Sequence, residues 1–261
     1  MSDGLHVEVR GRGPALVLLH GWAMHAGVFE PLTVQLAATH TLHLVDLPGH
    51  GRSRDAGGLE GLDAVVGRLL ERLPPAPWLG WSLGGLIALS AALRAPRQVT
   101  GVVALCASPR FVRAADWPHA VETEVFARFA SGLAADYRGT VDRFLALEAH
   151  GSERMREELR LLRQQVFSRG EPAPEVLGQG LALLAQTDLR GALPQLAVPS
   201  LWIGGRRDRL VPWQAMQAAA RACPRGRFLR LDGAGHAPFL SHAEELAQAL
   251  AAWPEGDAVR P

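Results

Sequence analysis

The chain has 261 residues, a length that suits one globular core better than two. With 48% hydrophobic and 20% charged residues it reads as an ordinary folded domain, neither fibrous nor disordered. A formal net charge of +1 gives no electrostatic reason to expect binding to nucleic acid or to an anionic membrane.

Met1-Ser2-Asp3-Gly4-Leu5-His6 contains no apolar core of the kind a secretory signal needs, and the apolar runs 15–19 and 99–105 are too short to span a bilayer. The cytoplasm is therefore the expected compartment. Residues 5–10 and 15–20 read as strands joined by Gly11-Arg12-Gly13-Pro14, an expected antiparallel hairpin. A third strand is expected at 42–46 and a fourth, short one at 78–81, leading into a helix over 83–93. Residues 99–105 form a Val-rich buried strand, and 200–204 and 227–231 complete the set. Strands alternating with helical patterns predict an α/β fold with a mostly parallel sheet flanked by helices.

The interval 109–190 differs, with no convincing strand and several amphipathic helical stretches. Met155, Leu159, Leu162 and Val166 share one helical face, and Tyr137, Val141, Phe144 and Leu145 make a similar stripe. This reads as a helical cap inserted into a single domain spanning 1–261. Only the tail after Trp253 looks disordered.

Gly80-Trp81-Ser82-Leu83-Gly84 fits the G-x-S-x-G turn that lifts a nucleophilic serine off a strand and into a helix. Alone the pattern is weak. Its place between an expected strand and an expected helix is what the motif requires. Such a serine needs a base, and the base needs an orienting acid, following in the order Ser, acid, His. Of ten histidines, His236 lies in Asp232-Gly233-Ala234-Gly235-His236-Ala237-Pro238, directly after the last strand. His242 is the nearest rival, but Ser241 and Glu244 suggest a capping box that makes it a first-turn residue. Asp208 follows the strand at 200–204 and is the expected acid, ahead of Asp188, which precedes that strand, and Asp232, which is too near His236. The oxyanion of the tetrahedral intermediate needs two N–H donors. Leu83, opening the helix, and Trp22, in His20-Gly21-Trp22 after an early strand, are nominated, with His20 bracing that loop. Cys106 and Cys223 have neither metal-site spacing nor the number for a disulfide framework.

Leu18-Leu19-His20-Gly21-Trp22, Val45-Asp46-Leu47-Pro48-Gly49-His50-Gly51-Arg52-Ser53 and Gly80-Trp81-Ser82-Leu83-Gly84-Gly85 together resemble the α/β-hydrolase superfamily. Thr140-Val141-Asp142-Arg143-Phe144-Leu145-Ala146-Leu147 and Thr187-Asp188-Leu189-Arg190 are similar to the biotin-pathway carboxylesterase family, which demethylates a carrier-bound acyl methyl ester. The resemblance runs from about Leu5 to Trp253. It implies Ser82, Asp208 and His236 as a catalytic triad and Trp22 and Leu83 as oxyanion donors. It also implies an acyl site lined by Trp22, Trp81, Ser82, Leu83, Phe144, Leu145, Ala146, Leu147, Glu148 and His236, with no metal and no cofactor. Family members carry Gln at the position of Glu148. The implied partner is an acidic acyl-carrier protein held by Arg143, Arg156 and Arg160, and a monomer is expected. One further family arginine falls on Gly139, with Arg138 displaced by one position.

From the residues alone, Arg156, Arg160 and Arg163 form a helical face opposite Met155, Leu159 and Leu162, and a solvated face paired to Glu153, Glu157 and Glu158 is the preferred explanation. All 27 basic residues are Arg, which codon bias suffices to explain. Other readings are a general short-chain carboxylesterase, a carbon–carbon bond hydrolase on the same three residues, and a non-catalytic binding protein of this fold.

Overall fold

Seven apolar runs become strands in the computed structural model, which describes residues 4–253. They are β1 (Val7–Gly11), β2 (Ala15–Leu19), β3 (Thr41–Val45), β4 (Ala76–Trp81), β5 (Val99–Leu105), β6 (Ser200–Gly205) and β7 (Gly226–Leu231). They lie in one sheet of order β1-β3-β2-β4-β5-β6-β7, parallel throughout except where β1 meets β3. A parallel sheet is covered on both faces, so its inner strands can carry unbroken apolar sequence. Leu16 to Leu19, Val102 to Leu105 and the pairs Trp78/Leu79 and Trp202/Ile203 are accordingly buried.

Helices α1 (Glu30–Leu36), α2 (Leu62–Arg72) and α3 (Leu83–Arg94) follow β2, β3 and β4. Four helices, α4 (Thr123–Ala135), α5 (Tyr137–Ala149), α6 (Met155–Val166) and α7 (Pro174–Gln186), fill the interval between β5 and β6. After β6 comes α8 (Trp213–Ala222), and after β7 come the short α9 (Pro238–Ser241) and α10 (Ala243–Ala252). Leu83 to Ala92 are all buried, so α3 is enclosed on every side by β4, β5, α2 and α7. That burial explains why its sequence is apolar all round rather than striped.

The expected hairpin at the N-terminus does not form. β1 pairs antiparallel with β3, from Val7 opposite Val45 to Gly11 opposite Thr41, and β2 lies on the far side of β3. The physical reason is burial: β2 is covered almost completely and takes two parallel neighbours, leaving the half-exposed β1 to the sheet edge. Gly11 and Gly13, at φ 86° and 116°, carry the connection across the backbone of Thr39 and His40, where a side chain at either glycine would collide.

The inserted helices pack in sequence, α4 on α5 and α7, and α5 on α6. α5 buries Val141, Phe144, Leu145 and Glu148, while α6 buries Leu162 and Val166 and leaves Met155 exposed. The insertion is bonded to the sheet end by the Trp22 indole N–H, which donates to Leu177 O at 2.8 Å. His25 Nε2 bonds Gln165 O at 2.8 Å, and Arg169 pairs with Asp46 at 3.3 Å and Glu8 at 3.1 Å.

Candidate active site

Ser82 occupies the single residue between β4 and α3, at φ 55° and ψ −117°. A non-glycine residue there is strained by about 1–3 kcal/mol, which the surrounding packing must offset. Glycines make the turn sterically possible. A Cβ on Gly80 would strike the Gly84 carbonyl, and one on Gly84 would strike the Leu19 carbonyl. Ala23 and Cys106 also have positive φ, and they lie beyond the carboxyl ends of β2 and β5, next to the same end of the sheet.

The loops after β6 and β7 bring Asp208 and His236 together in complete burial of both side chains, with His236 Nδ1 donating to Asp208 Oδ2 at 2.7 Å. The other carboxylate oxygen of Asp208 accepts from Leu210 N at 2.8 Å and Val211 N at 2.9 Å, which fixes its orientation. The His236 carbonyl accepts from the Trp81 indole at 2.7 Å, holding the histidine loop against the serine turn. Ser82 Oγ and His236 Nε2 are both buried and have no hydrogen-bond partner among the described residues. Their hydrogen-bonding capacity is unused, and such contacts commonly close only around substrate.

The alternative residues lie elsewhere. Asp188 is clamped by Arg190 at 2.8 Å and Arg110 at 2.8 Å, and the bonds from Arg190 hold its carboxyl far below the usual range despite partial burial. Asp232 pairs with Arg230 at 2.9 Å. The expected capping box at Ser241 and Glu244 is absent. Ser241 already closes α9, its hydroxyl bonds His242 Nδ1 at 2.8 Å, and His242 caps α10 without a side-chain bond.

Leu83 is the first residue of α3, so its N–H lacks an intrahelical partner, and Trp22 stands in the buried loop after β2. His20 braces that loop: Nε2 accepts from Leu47 N at 2.9 Å and Nδ1 donates to Gly21 O at 2.8 Å. Burial pushes His20 down to about 3 and His50 to about 4, so both are neutral at ordinary pH. Asp46 anchors the neighbouring loop, accepting from Ala26 N at 2.8 Å and Arg52 N at 2.9 Å. Burial opposes its charge, but the two amide donors and Arg169 keep the carboxyl below its usual range.

Along α5, Phe144, Leu145 and Glu148 face inward, and Phe144 packs on Trp22 with ring centroids 4.4 Å apart. Ala146 and Leu147 are half-buried, as five consecutive helical residues cannot all share one face. Leu147 instead joins Val125, Arg128, Phe129, Thr140 and Arg143 around a surface groove of about 370 Å³. Arg143 is exposed and pairs with Asp136 at 3.1 Å, Arg160 reaches Gln164 at 3.0 Å, and Arg156 is exposed. Arg163 pairs with Asp142 on α5 at 2.6 Å, while Glu158 is buried against Ser152 and Glu153, before the helix, pairs with Arg207. Arg138 is tied to Glu171 and lies over Phe167, and a side chain at Gly139 would strike the Asp136 carboxylate.

Cys106 escapes sequence reasoning, since nothing local marks it. It directly follows β5, and its sulfur and the ligating atoms of Asp208 and His236 all lie within 4.8 Å of one another. Burial and the Asp208 charge push its thiol far up, so it stays protonated, and its sulfur donates to Gly235 O at 3.7 Å. The close Nδ1–Oδ2 bond already accounts for the His and Asp atoms, and a neutral thiol is a poor metal ligand.

A family model described as alpha/beta hydrolase fold matches residues 14–243. The chain belongs to the α/β-hydrolase family. Among curated members, a pimeloyl-[acyl-carrier protein] methyl ester esterase of Xanthomonas oryzae pv. oryzae is 58% identical over 94% of this chain and 97% of its own length. A protein of the same name from Stenotrophomonas maltophilia is 56% identical, covering 94% and 95%. Among solved α/β-hydrolase structures, an esterase from Exiguobacterium antarcticum superposes with a TM-score of 0.83 at 21% identity over 96% of this chain and 95% of that one. An enol-lactonase from Burkholderia xenovorans gives 0.83 at 19% identity, with 96% of each covered. Those two show the fold alone.

Proposed function

We propose that this α/β-hydrolase is a serine carboxylesterase that cleaves the methyl ester of pimeloyl-[acyl-carrier protein], giving the free carboxylate and methanol in biotin biosynthesis. The observation that carries this reading is the buried His236–Asp208 pair, 2.7 Å apart, beside a serine held at positive φ. The substrate comes from the 56–58% identical relatives.

Ser82 Oγ attacks the ester carbonyl while His236 Nε2 takes its proton, and Asp208 keeps Nδ1 protonated and stabilises the imidazolium. The oxyanion is received by the N–H groups of Leu83 and Trp22. His236 then gives that proton to the departing methoxide oxygen, forming methanol, and a water activated by the same nitrogen releases the acid from the acyl-enzyme. Only side-chain and backbone groups take part, so no cofactor is invoked.

The helices α4–α7 serve as a cap subdomain on one domain, with Phe144 and Trp22 forming the apolar wall of the acyl site. Arg143, Arg156 and Arg160 present the exposed positive charge that an acidic carrier protein would meet. All the residues invoked come from one chain, so a monomer suffices. The cytoplasm is the compartment this reading implies; among the described residues no helix is long and apolar enough to cross a membrane. The test is genetic: the gene should rescue a biotin auxotroph lacking its own such esterase, and Ser82→Ala should not. Esterase activity on simple esters without rescue would restrict the function to a general carboxylesterase.

A further inference from the structure

Glu148 is the anomaly of the site. Its side chain is fully buried, and neither carboxyl oxygen has a hydrogen-bond partner among the described residues. A buried carboxyl left unpaired is costly unless it is neutral or meets a ligand. Its position points to the ligand. One turn before it on α5 stands Phe144, against Trp22, and its own carbonyl accepts from His236 N at 3.4 Å. Ser82 Oγ and His236 Nε2, the two reacting atoms, are likewise buried and unpartnered among the described residues, as is His50 Nε2 on the neighbouring loop.

No cation balances Glu148. On α5, Asp142 and Arg143 lie toward the surface, bonded to Arg163 and Asp136. On α4, Arg128 lines the outer groove, and on α6 the buried Glu158 accepts from Ser152 Oγ at 2.8 Å. The ionisable groups at its inner side are Asp208, His236 and, beside them, Cys106. Burial, and then the charge of Asp208, push the Glu148 carboxyl far above the usual carboxylate range.

We propose that Glu148 is a substrate-binding residue that works as a neutral carboxylic acid, donating a hydrogen bond to the ester group of the substrate. This rests on the esterase reading above.

The test compares wild type with E148Q, which keeps a donor at every pH, and E148L, which has none. Methyl butyrate is the probe, with released acid titrated at fixed pH, and the melting temperature of each variant reports its folding. E148L should lose about tenfold in kcat/KM, the scale of one hydrogen bond, mainly through KM. E148Q should stay within a few fold of wild type, and any alkaline loss of wild-type activity should be missing from it. Infrared spectroscopy at neutral pH should show a protonated-carboxyl band in wild type that E148Q lacks. E148L matching wild type, E148Q keeping an alkaline loss, or wild type lacking that band would overturn the proposal. Failure of the esterase reading looks different: wild type would leave the methyl ester intact at every pH, while the infrared band would still report on Glu148.

Discussion

Asp208→Asn isolates the part of the site that is most fully determined by its bonds. One side-chain oxygen of Asp208 accepts from Leu210 N and Val211 N, and the other faces His236 Nδ1. An asparagine placed there keeps its single oxygen on the two amides, because turning it round would set an NH₂ group against two N–H donors. The NH₂ group then points at Nδ1, which must become an acceptor. The proton of the neutral imidazole moves to Nε2, and Nε2 can no longer take a proton from Ser82. The expected loss is about 10⁴ in kcat, or roughly 5.4 kcal/mol of transition-state stabilisation. The fold should survive, since the amide bonds to the loop persist. The assay is methyl ester hydrolysis beside a melting curve. A loss below tenfold with an intact fold would refute the tautomer argument, and a large loss from Asp188→Asn or Asp232→Asn instead would show that the wrong acid had been named.

Glu148→Gln should change how stability depends on pH. The unfolded glutamate ionises near 4.3, whereas the folded one stays protonated well above that, so unfolding releases a proton. Wild-type stability should therefore fall by up to about 1.4 kcal/mol per pH unit above the unfolded pKa, relative to E148Q; parallel urea-unfolding curves at pH 6 and pH 8 for the two proteins would contradict this. Replacing Arg143, Arg156 and Arg160 together by Ala should lower kcat/KM on the carrier-linked ester by roughly 3- to 150-fold, from about 0.2–1 kcal/mol per exposed charge, and flatten its salt dependence. A short free ester should be hydrolysed as before, and equal losses on both would mean that the insertion had been destabilised. Arg169→Met strands the buried Asp46 with only its backbone donors, and a cost of about 3 kcal/mol in chemical unfolding is expected; no change would show that the two amides alone suffice.

Much of the fold was legible in the sequence because parallel strands buried on both faces are continuous apolar runs, and 99–105 needed no other information. The partner of β1 was not legible. Gly11-Arg12-Gly13-Pro14 has the composition of a hairpin turn, and only the burial of β2 decides that the chain crosses β3 instead. The chain order of Ser82, Asp208 and His236 was readable from their loops, and the structure gathers those loops at one end of the sheet. Cys106 and the isolation of Glu148 were not readable, because both depend on contacts far apart in sequence. The Ser241–Glu244 spacing misled for a local reason: the serine already belongs to the preceding helix.

The central claim is that Ser82 removes a methyl group from a carrier-bound acyl ester. The direct measurement is the mass of the pimeloyl-carrier methyl ester after incubation with purified wild type and with Ser82→Ala, each checked for folding. Wild type should convert the carrier-bound substrate to a species lighter by one methylene, with the carrier still attached, and Ser82→Ala should be slower by roughly 10⁶. An unchanged mass with wild type, or conversion by Ser82→Ala at more than a few per cent of the wild-type rate, would contradict the account.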